Sequence, residues 1–206
     1  MKHQREDSVT LEILEAIDTR SDVTQRSLAL QLGVALGLTN SYLRRCVRKG
    51  LVKIQHAPAN RYLYYLTPKG FAEKSRLTAQ YLVSSFDYYH RAGAAMATCY
   101  TSMVARGYRH ILFAGMSELT EIASVRAHDF GVELVGTIDP STEVDSFLGL
   151  PVWRRLGSAN YYDAILFTAL SNPRDLFKQL QGSTDVDRIF IPAVLKALLE
   201  PDNRFI

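Results

Sequence analysis

The sequence predicts a small α+β head, a long helical connector and, behind it, an α/β domain built on a parallel sheet. Three observations carry this. Helical periodicity broken by a glycine-containing turn runs through residues 9–50, then gives way to the alternating aromatic stretch Tyr62–Leu66. From Phe71 to about Gly107 the pattern stays helical. From Tyr108 onward short apolar runs alternate with helical segments, which is the pattern of a parallel sheet covered on both faces. The implied boundaries are residues 1–69 for the head, 70–107 for the connector and 108–206 for the α/β domain.

Bulk composition sets the frame for each element. The chain has 206 residues, 47% hydrophobic and 22% charged, the profile of an ordinary globular protein large enough for two small domains. No apolar run approaches the roughly 18 residues of a membrane span, so no membrane partner is expected. The opening "MKHQREDSVT" lacks the apolar core of a secretion signal, so a cytoplasmic location is expected. Cys46 and Cys99 are too few and too far apart for a disulfide framework or a zinc site. Residues 1–76 hold 13 Lys/Arg against 7 Asp/Glu, whereas residues 77–206 hold 11 against 14. Polyanion binding is therefore expected of the front half alone.

In the head, "VTLEILEAI" places Val9, Leu11, Ile13, Leu14 and Ile17 mostly on one helical face. A second helix is expected in "DVTQRSLALQL", with Thr24 as its N-cap and Leu28, Ala29 and Leu32 inward. Gly33 supplies the left-handed residue that ends it, with Val34 tucked beneath. A third helix follows in "ALGLTNSYLRRCVRKG" and stops at Gly50. Two helices crossing over a glycine turn form a helix-turn-helix. With Tyr42, Leu43, Cys46 and Val47 inward, Asn40, Ser41, Arg44, Arg45 and Arg48 face out. Asn and Arg can bond base edges bidentately, and an exposed helix bearing them suits a major groove. Gln25 and Arg26, at the start of the second helix, join the candidate DNA contacts. "LVKIQHAPANRYLYYLTPKG" then reads as a β-hairpin wing tipped by Asn60 and Arg61, with Thr67 and Pro68 opening the next helix.

"TQRSLALQLGVALGLTNSYLRRCVRKGLVKI" and "NRYLYYLTPKGFAEKSRLT" together resemble winged-helix regulators of the MarR family, specifically the small ones associated with exopolysaccharide clusters. The resemblance covers roughly residues 8–85 and implies a homodimer on double-stranded DNA with a pseudo-palindromic operator. Two positions depart from the pattern. Ala35 stands where Ser commonly caps the recognition helix, and Thr39 stands where an apolar residue is usual.

The connector carries Leu77, Tyr81, Leu82, Phe86, Tyr89, Met96, Tyr100, Met103 and Val104, with an interruption expected near "HRAGAA". That is more apolar surface than a lone helix can leave in water. A partner copy is the expected cover for its first part, and packing of "FDYYH" between domains is the alternative.

In the rear, "YRHILFAG", "VELVGTIDP", "YDAILFTAL" and "VDRIFIPAV" read as strands, and "LPVWRRL" as a short strand or an edge element. "SELTEIASVRAHDFG", "SNPRDLFKQLQG" and "LKALLE" read as helices, the second with Asn172 as N-cap and Pro173 at its first position. In such Rossmann-like sheets ligands lie beyond the carboxyl ends of the strands. The residues expected there are Gly115, Met116, Ser117 and Glu118, then Asp139 and Pro140, then Ser171 and Asn172, and then Pro192. Gly115 and the following helix start would suit an anion, and Asp139, 24 residues on, stands where a carboxylate bonds a ribose hydroxyl. A dinucleotide fingerprint is absent, because Met116 and Ser117 replace glycines and Glu118 adds negative charge. No nucleophile–base pair or metal-ligand cluster is visible, and His3, His56, His90, His110 and His128 are scattered, so an enzyme is not expected.

"GVELVGTIDPSTEVDSFLGLPVWRRLG…YDAILFTAL" resembles the nucleotide-sugar-binding domain that precedes the acetyltransferase repeats of bacterial sugar acetyltransferases, over about residues 109–195. It is also similar to the Rossmann-like domain of membrane polysaccharide enzymes. These resemblances imply a nucleotide or nucleotide-sugar effector, with no certain cofactor. The combined expectation is a transcription regulator sensing such a metabolite and controlling surface-polysaccharide genes. Three alternatives stay open: an NAD(H)-sensing repressor of the Rex type, a nucleotide-sugar enzyme with a winged-helix head, and a ligand-free scaffold.

Overall fold

Periodicity in the first fifty residues builds three helices around one apolar seam. The computed structural model describes residues 2–20, 22–57, 61–159 and 161–200. Its packing forms two units, Met1–Phe86 and Asp87–Ile206. Among the described residues no helix is long and apolar enough to cross a membrane.

The front unit opens with α1 (Lys2–Thr19), which begins before the expected start at Val9, then α2 (Gln25–Gln31) and α3 (Leu36–Arg48). Ile13, Leu14, Ile17, Leu28, Leu43, Cys46, Tyr64 and Leu77 meet in its core. Thr24 caps α2 as expected: its hydroxyl accepts from Ser27 N at 3.0 Å while Ser27 Oγ accepts from Thr24 N at 2.9 Å. Gly33 takes φ +60°, so Val34 N reaches back to Ala29 O at 3.2 Å and closes the helix. Ala35 gives α3 no side-chain cap. The buried Thr39 hydroxyl donates to Ala35 O at 3.3 Å, which satisfies it inside an apolar seam. An antiparallel hairpin follows, β1 (Val52–Ala57) with β2 (Arg61–Leu66), in register from Val52↔Leu66 to Ala57↔Arg61. Residues 58–60, Asn60 included, lie outside the described residues.

Helix α4 (Pro68–Ala105) runs without the expected break at "HRAGAA". Thr67 starts it by accepting from Gly70 N at 3.0 Å. The small residues have a packing reason. Ala92 and Gly93 are buried, and a Cβ on Gly93 would stand 3.0 Å from Arg126 Nε. A mid-helix glycine costs about 1 kcal/mol relative to alanine, and here it admits a neighbouring side chain. Burial pushes the Cys46 and Cys99 thiols up, each to about 11, in line with core packing for both.

The rear unit holds β3 (His110–Ala114), α5 (Glu118–Ala127), β4 (Glu133–Ile138), β5 (Ser146–Phe147) and β6 (Leu150–Trp153). It continues with β7 (Ala164–Phe167), α6 (Pro173–Gln181), β8 (Ile189–Phe190) and α7 (Ala193–Leu199). The sheet order is β5-β6-β4-β3-β7-β8. Only β5–β6 is antiparallel, a small edge hairpin the sequence pattern did not announce. The other five strands form a parallel, doubly wound, Rossmann-like sheet whose order reverses beside β3. Ile111–Ala114 and Ala164–Phe167 are fully buried at its centre. The second half of α4 joins α5, with Tyr100 Oη donating to Ala123 O at 2.9 Å, and α6 packs on α7. Asn172 does precede α6, but at φ +48° its side chain makes no capping bond, contrary to expectation. Pro173, lacking an N–H, removes one of the donors a cap would serve.

Candidate functional site

The outward face of α3 and the hairpin enclose a groove of about 930 Å³. Gln25, Asn40, Ser41, Arg44 and Arg48 line it, five of the nine residues expected to touch DNA. Arg44 and Arg48 are exposed, and neither is tied to a carboxylate among the described residues. Asn40 Oδ1 is buried at the wall with no hydrogen-bond partner among the described residues. The groove therefore offers two unneutralised guanidinium groups beside an amide with unmet hydrogen-bonding capacity. That set suits phosphates and base edges.

The other four behave differently. Arg45 turns back to α1, where its Nη1 donates to Glu6 Oε2 at 2.8 Å, so, unlike Arg44 and Arg48, it is engaged by a carboxylate of its own unit. Arg26 is exposed on α2 but does not line the groove. Asn60 and the side chain of Arg61 lie outside the described residues. The groove lining also takes in Gly37, Leu43 and Val47 of α3 and Ile54, Tyr62 and Tyr64 of the hairpin, none of which the sequence reading placed there. The signal was present, since strand alternation puts Tyr62 and Tyr64 on one face and the register sets Ile54 opposite Tyr64. Tyr64 is itself almost fully buried, and its hydroxyl accepts from Gln25 Nε2 at 3.4 Å, joining the wing to α2.

At the carboxyl end of the rear sheet, the loop after β3 is filled by its own chain. Gly115 N donates to Ile138 O at 2.8 Å. Met116 N donates to Asp139 Oδ2 at 2.9 Å, and Ser117 N donates to Thr120 Oγ1 at 3.2 Å. Ser117 Oγ accepts from Leu119 N at 3.2 Å and donates to Thr168 O at 2.6 Å. Gly115, at φ +97°, is needed for close approach: a Cβ there would fall 2.4 Å from both Cα and Cβ of Ala169. The N–H groups of Gly115, Met116, Ser117 and Leu119 are thus bonded within the chain, and Glu118 and Glu121 place negative charge in the first turn of α5, a geometry that disfavours the expected phosphate cradle.

Asp139 is likewise engaged, its Oδ1 accepting from Ser141 N at 2.9 Å and from Ser141 Oγ at 2.6 Å. It still borders a cleft of about 190 Å³ together with Pro140, Ser171 and Asn172, so four of the residues expected at the strand ends come together there. Ser141 and, from α6, Asp175 and Gln179 complete the polar lining; the two α6 residues were not foreseen because they lie inside the helix rather than at a strand end. Among the described residues no group of three His, Cys, Asp or Glu is placed to hold a metal ion.

Residues 6–53 match the family described as winged helix-turn-helix DNA-binding. No curated protein sequence matches the chain. Among solved structures, the chain is similar to a MarR family transcription regulator at 21% identity. That match has a TM-score of 0.37 and covers 42% of this chain and 63% of the other. It is also similar to a mutant of Staphylococcus aureus MepR bound to an oligodeoxyribonucleotide, at 22% identity and a TM-score of 0.34, covering 40% and 61%. A third similarity is to human N-acetylserotonin methyltransferase in complex with SAM, at 10% identity and a TM-score of 0.33, covering 80% and 67%. The chain thus spans 61–63% of the length of the two regulators, and their partners are facts about those proteins. What the matches establish for this chain is a winged helix-turn-helix in residues 6–53.

Proposed function

We propose that this chain is a DNA-binding transcription regulator that acts as a homodimer and whose rear α/β domain senses a small metabolite of nucleotide type. One observation carries the DNA reading. Arg44 and Arg48, tied to no carboxylate among the described residues, line a groove between α3 and the hairpin and lie within the segment that matches a DNA-binding winged helix-turn-helix. Arg44 with Asn40 is assigned to base edges, Arg48 and Ser41 to backbone phosphates, and Gln25 and Arg26 to the flanking backbone. The wing tip at Asn60 and Arg61 is assigned to an adjacent groove.

The homodimer is supported by α4. All ten residues from 81 to 90 are exposed, and Tyr81, Leu82, Val83, Phe86, Tyr88 and Tyr89 are among them. A run of that size is more than a monomer leaves in water, and a two-fold pair reads a pseudo-palindromic operator. Sensing is assigned to the carboxyl end of the doubly wound sheet, where such folds hold their ligands. A metabolite there alters DNA affinity only by preferring one of two dimer geometries. Surface-polysaccharide genes are the targets suggested by the resemblance over residues 8–85.

The test is selection of bound duplexes from a randomised pool, followed by stoichiometry on the enriched sequence. The reading expects an inverted repeat bound by two chains. Enrichment of no sequence, with affinity independent of salt, would overturn it.

A further inference from the structure

The doubly wound sheet has one missing piece. A parallel crossover is normally completed by an α-helix, yet among the described residues the path from β6 to β7 holds no α-helix, only the 3-10 turn Leu156–Ser158. The carboxyl end of β4 is left beside a hollow of about 370 Å³, floored by Ile138, Leu156, Leu176 and Leu180 and edged by Arg155. This hollow shares Pro140, Leu176 and Gln179 with the polar cleft of about 190 Å³ described above.

The two neighbouring arginines at this edge differ. Arg154 is occupied: its Nε donates to Thr142 O at 3.0 Å and its Nη1 to Asp145 Oδ1 at 3.0 Å. The Arg155 side chain is exposed and makes no hydrogen bond or ion pair among the described residues. Beyond the shared wall, Ser171, Asn172, Asp175 and Gln179 form a set of hydroxyl, amide and carboxylate groups suited to sugar hydroxyls. The cleft has room for about six waters at ~30 Å³ each, the scale of one sugar ring. A ring held there extends its anomeric substituent into the hollow, where Arg155 supplies the positive charge that the β3 loop lacks.

We propose that these joined hollows are the effector site and that they recognise a hexosyl phosphate unit, with the sugar against Asp175 and Asn172 and the phosphate at Arg155. The inference deepens the sensing role proposed above and rests on it. The same unit occurs in a free sugar 1-phosphate and in a nucleotide-sugar. In the second case the nucleoside continues over the leucine floor.

Calorimetry on the full chain with glucose 1-phosphate, UDP-glucose, UDP-N-acetylglucosamine and UMP tests it. Binding of at least one hexosyl phosphate, with UMP at least tenfold weaker, is expected. A gain from glucose 1-phosphate to UDP-glucose identifies the nucleotide-sugar as the source, and equal affinity identifies the free sugar phosphate. Arg155→Gln and Asp175→Asn, both surface changes, each lower that affinity about tenfold, whereas Glu118→Gln leaves it unchanged. No binding by any hexosyl phosphate overturns the proposal, as does UMP binding as tightly as UDP-glucose. Binding that is indifferent to Arg155→Gln but strengthened by Glu118→Gln returns the ligand to the β3 loop. That last result overturns this site while leaving the sensing role intact, and operator binding measured without ligand reports on the regulator reading separately.

Discussion

Arg45 and Glu6 are joined by a 2.8 Å contact between α3 and α1, and that contact separates two adjacent arginines that are chemically alike. Arg44 keeps its guanidinium in the groove, while the charge of Arg45 is partly neutralised by its own fold. Arg44→Ala is therefore expected to cost about 1–3 kcal/mol of specific DNA binding and to relax preference at one base pair. Arg45→Ala should leave specificity intact and cost at most about 1 kcal/mol of stability, the range for a partly exposed pair. Fluorescence anisotropy on the selected duplex, with single base-pair changes, checks both. Equal losses for the two variants would place Arg45 on the DNA after all.

Gly115 supports a second expectation. Its positive φ and the 2.4 Å approach of a Cβ to Ala169 mean that alanine brings both backbone strain and a collision with backbone atoms at the end of β7. Gly115→Ala should destabilise the rear unit by about 2–4 kcal/mol, combining the costs of a strained φ and of overpacking. Urea unfolding monitored by tryptophan fluorescence reads this directly, since Trp153 is the chain's one tryptophan and lies in the rear unit. An unchanged midpoint would mean that the glycine is there for a ligand and not for packing.

These two cases also show which features are legible in a sequence. The helix-turn-helix could be read because its determinants are local. Thr24 and Ser27 form a cap within four residues, and Gly33 sits directly after its helix. The alternation of apolar and helical runs likewise reveals the parallel sheet. What stayed hidden are contacts between distant residues. Glu6 and Arg45 are 39 positions apart, and Asp139 closes the loop at Met116 from 23 positions away. The residue types at that loop permit a phosphate cradle, and only the fold shows a carboxylate of the same chain already there. The expected break in α4 failed for the same reason, because Gly93 answers to Arg126 and not to its neighbours in sequence.

The exposed run on α4 leads to an expectation about assembly. Phe86 is 61% exposed, with Tyr81, Leu82 and Val83 beside it and no cover from the described residues. Phe86→Glu places a charge where a second copy is proposed to pack, and burying an unpaired charge is prohibitive. Light scattering should show a shift from dimer to monomer, with operator affinity falling while helix content is kept. A variant that stays dimeric moves the interface elsewhere.

Asp163 lies where β3 and β7 begin, at the opposite end of the rear sheet from the proposed effector cleft. Its carboxylate accepts from Arg109 N and His110 N, each at 2.8 Å, and from Tyr161 Oη at 2.6 Å. Burial pushes its pKa up, but the bonds from Tyr161, His110 and Arg109 outweigh this and hold the carboxyl well below the usual range. A depressed folded-state pKa contributes stability in full above the unfolded value of about 3.9 and loses it as pH falls toward the folded value. Asp163→Asn should therefore cost roughly 2 kcal/mol at pH 7, with the gap to the parent protein closing progressively below about pH 4. Denaturant unfolding at pH 7 and in a series down to pH 3 measures that gap. Since Asp163 touches neither the groove nor the sheet-end cleft, DNA and ligand affinities at pH 7 should stay within a factor of about two. A gap independent of pH would show that the carboxylate is titrating no differently from one in the unfolded chain.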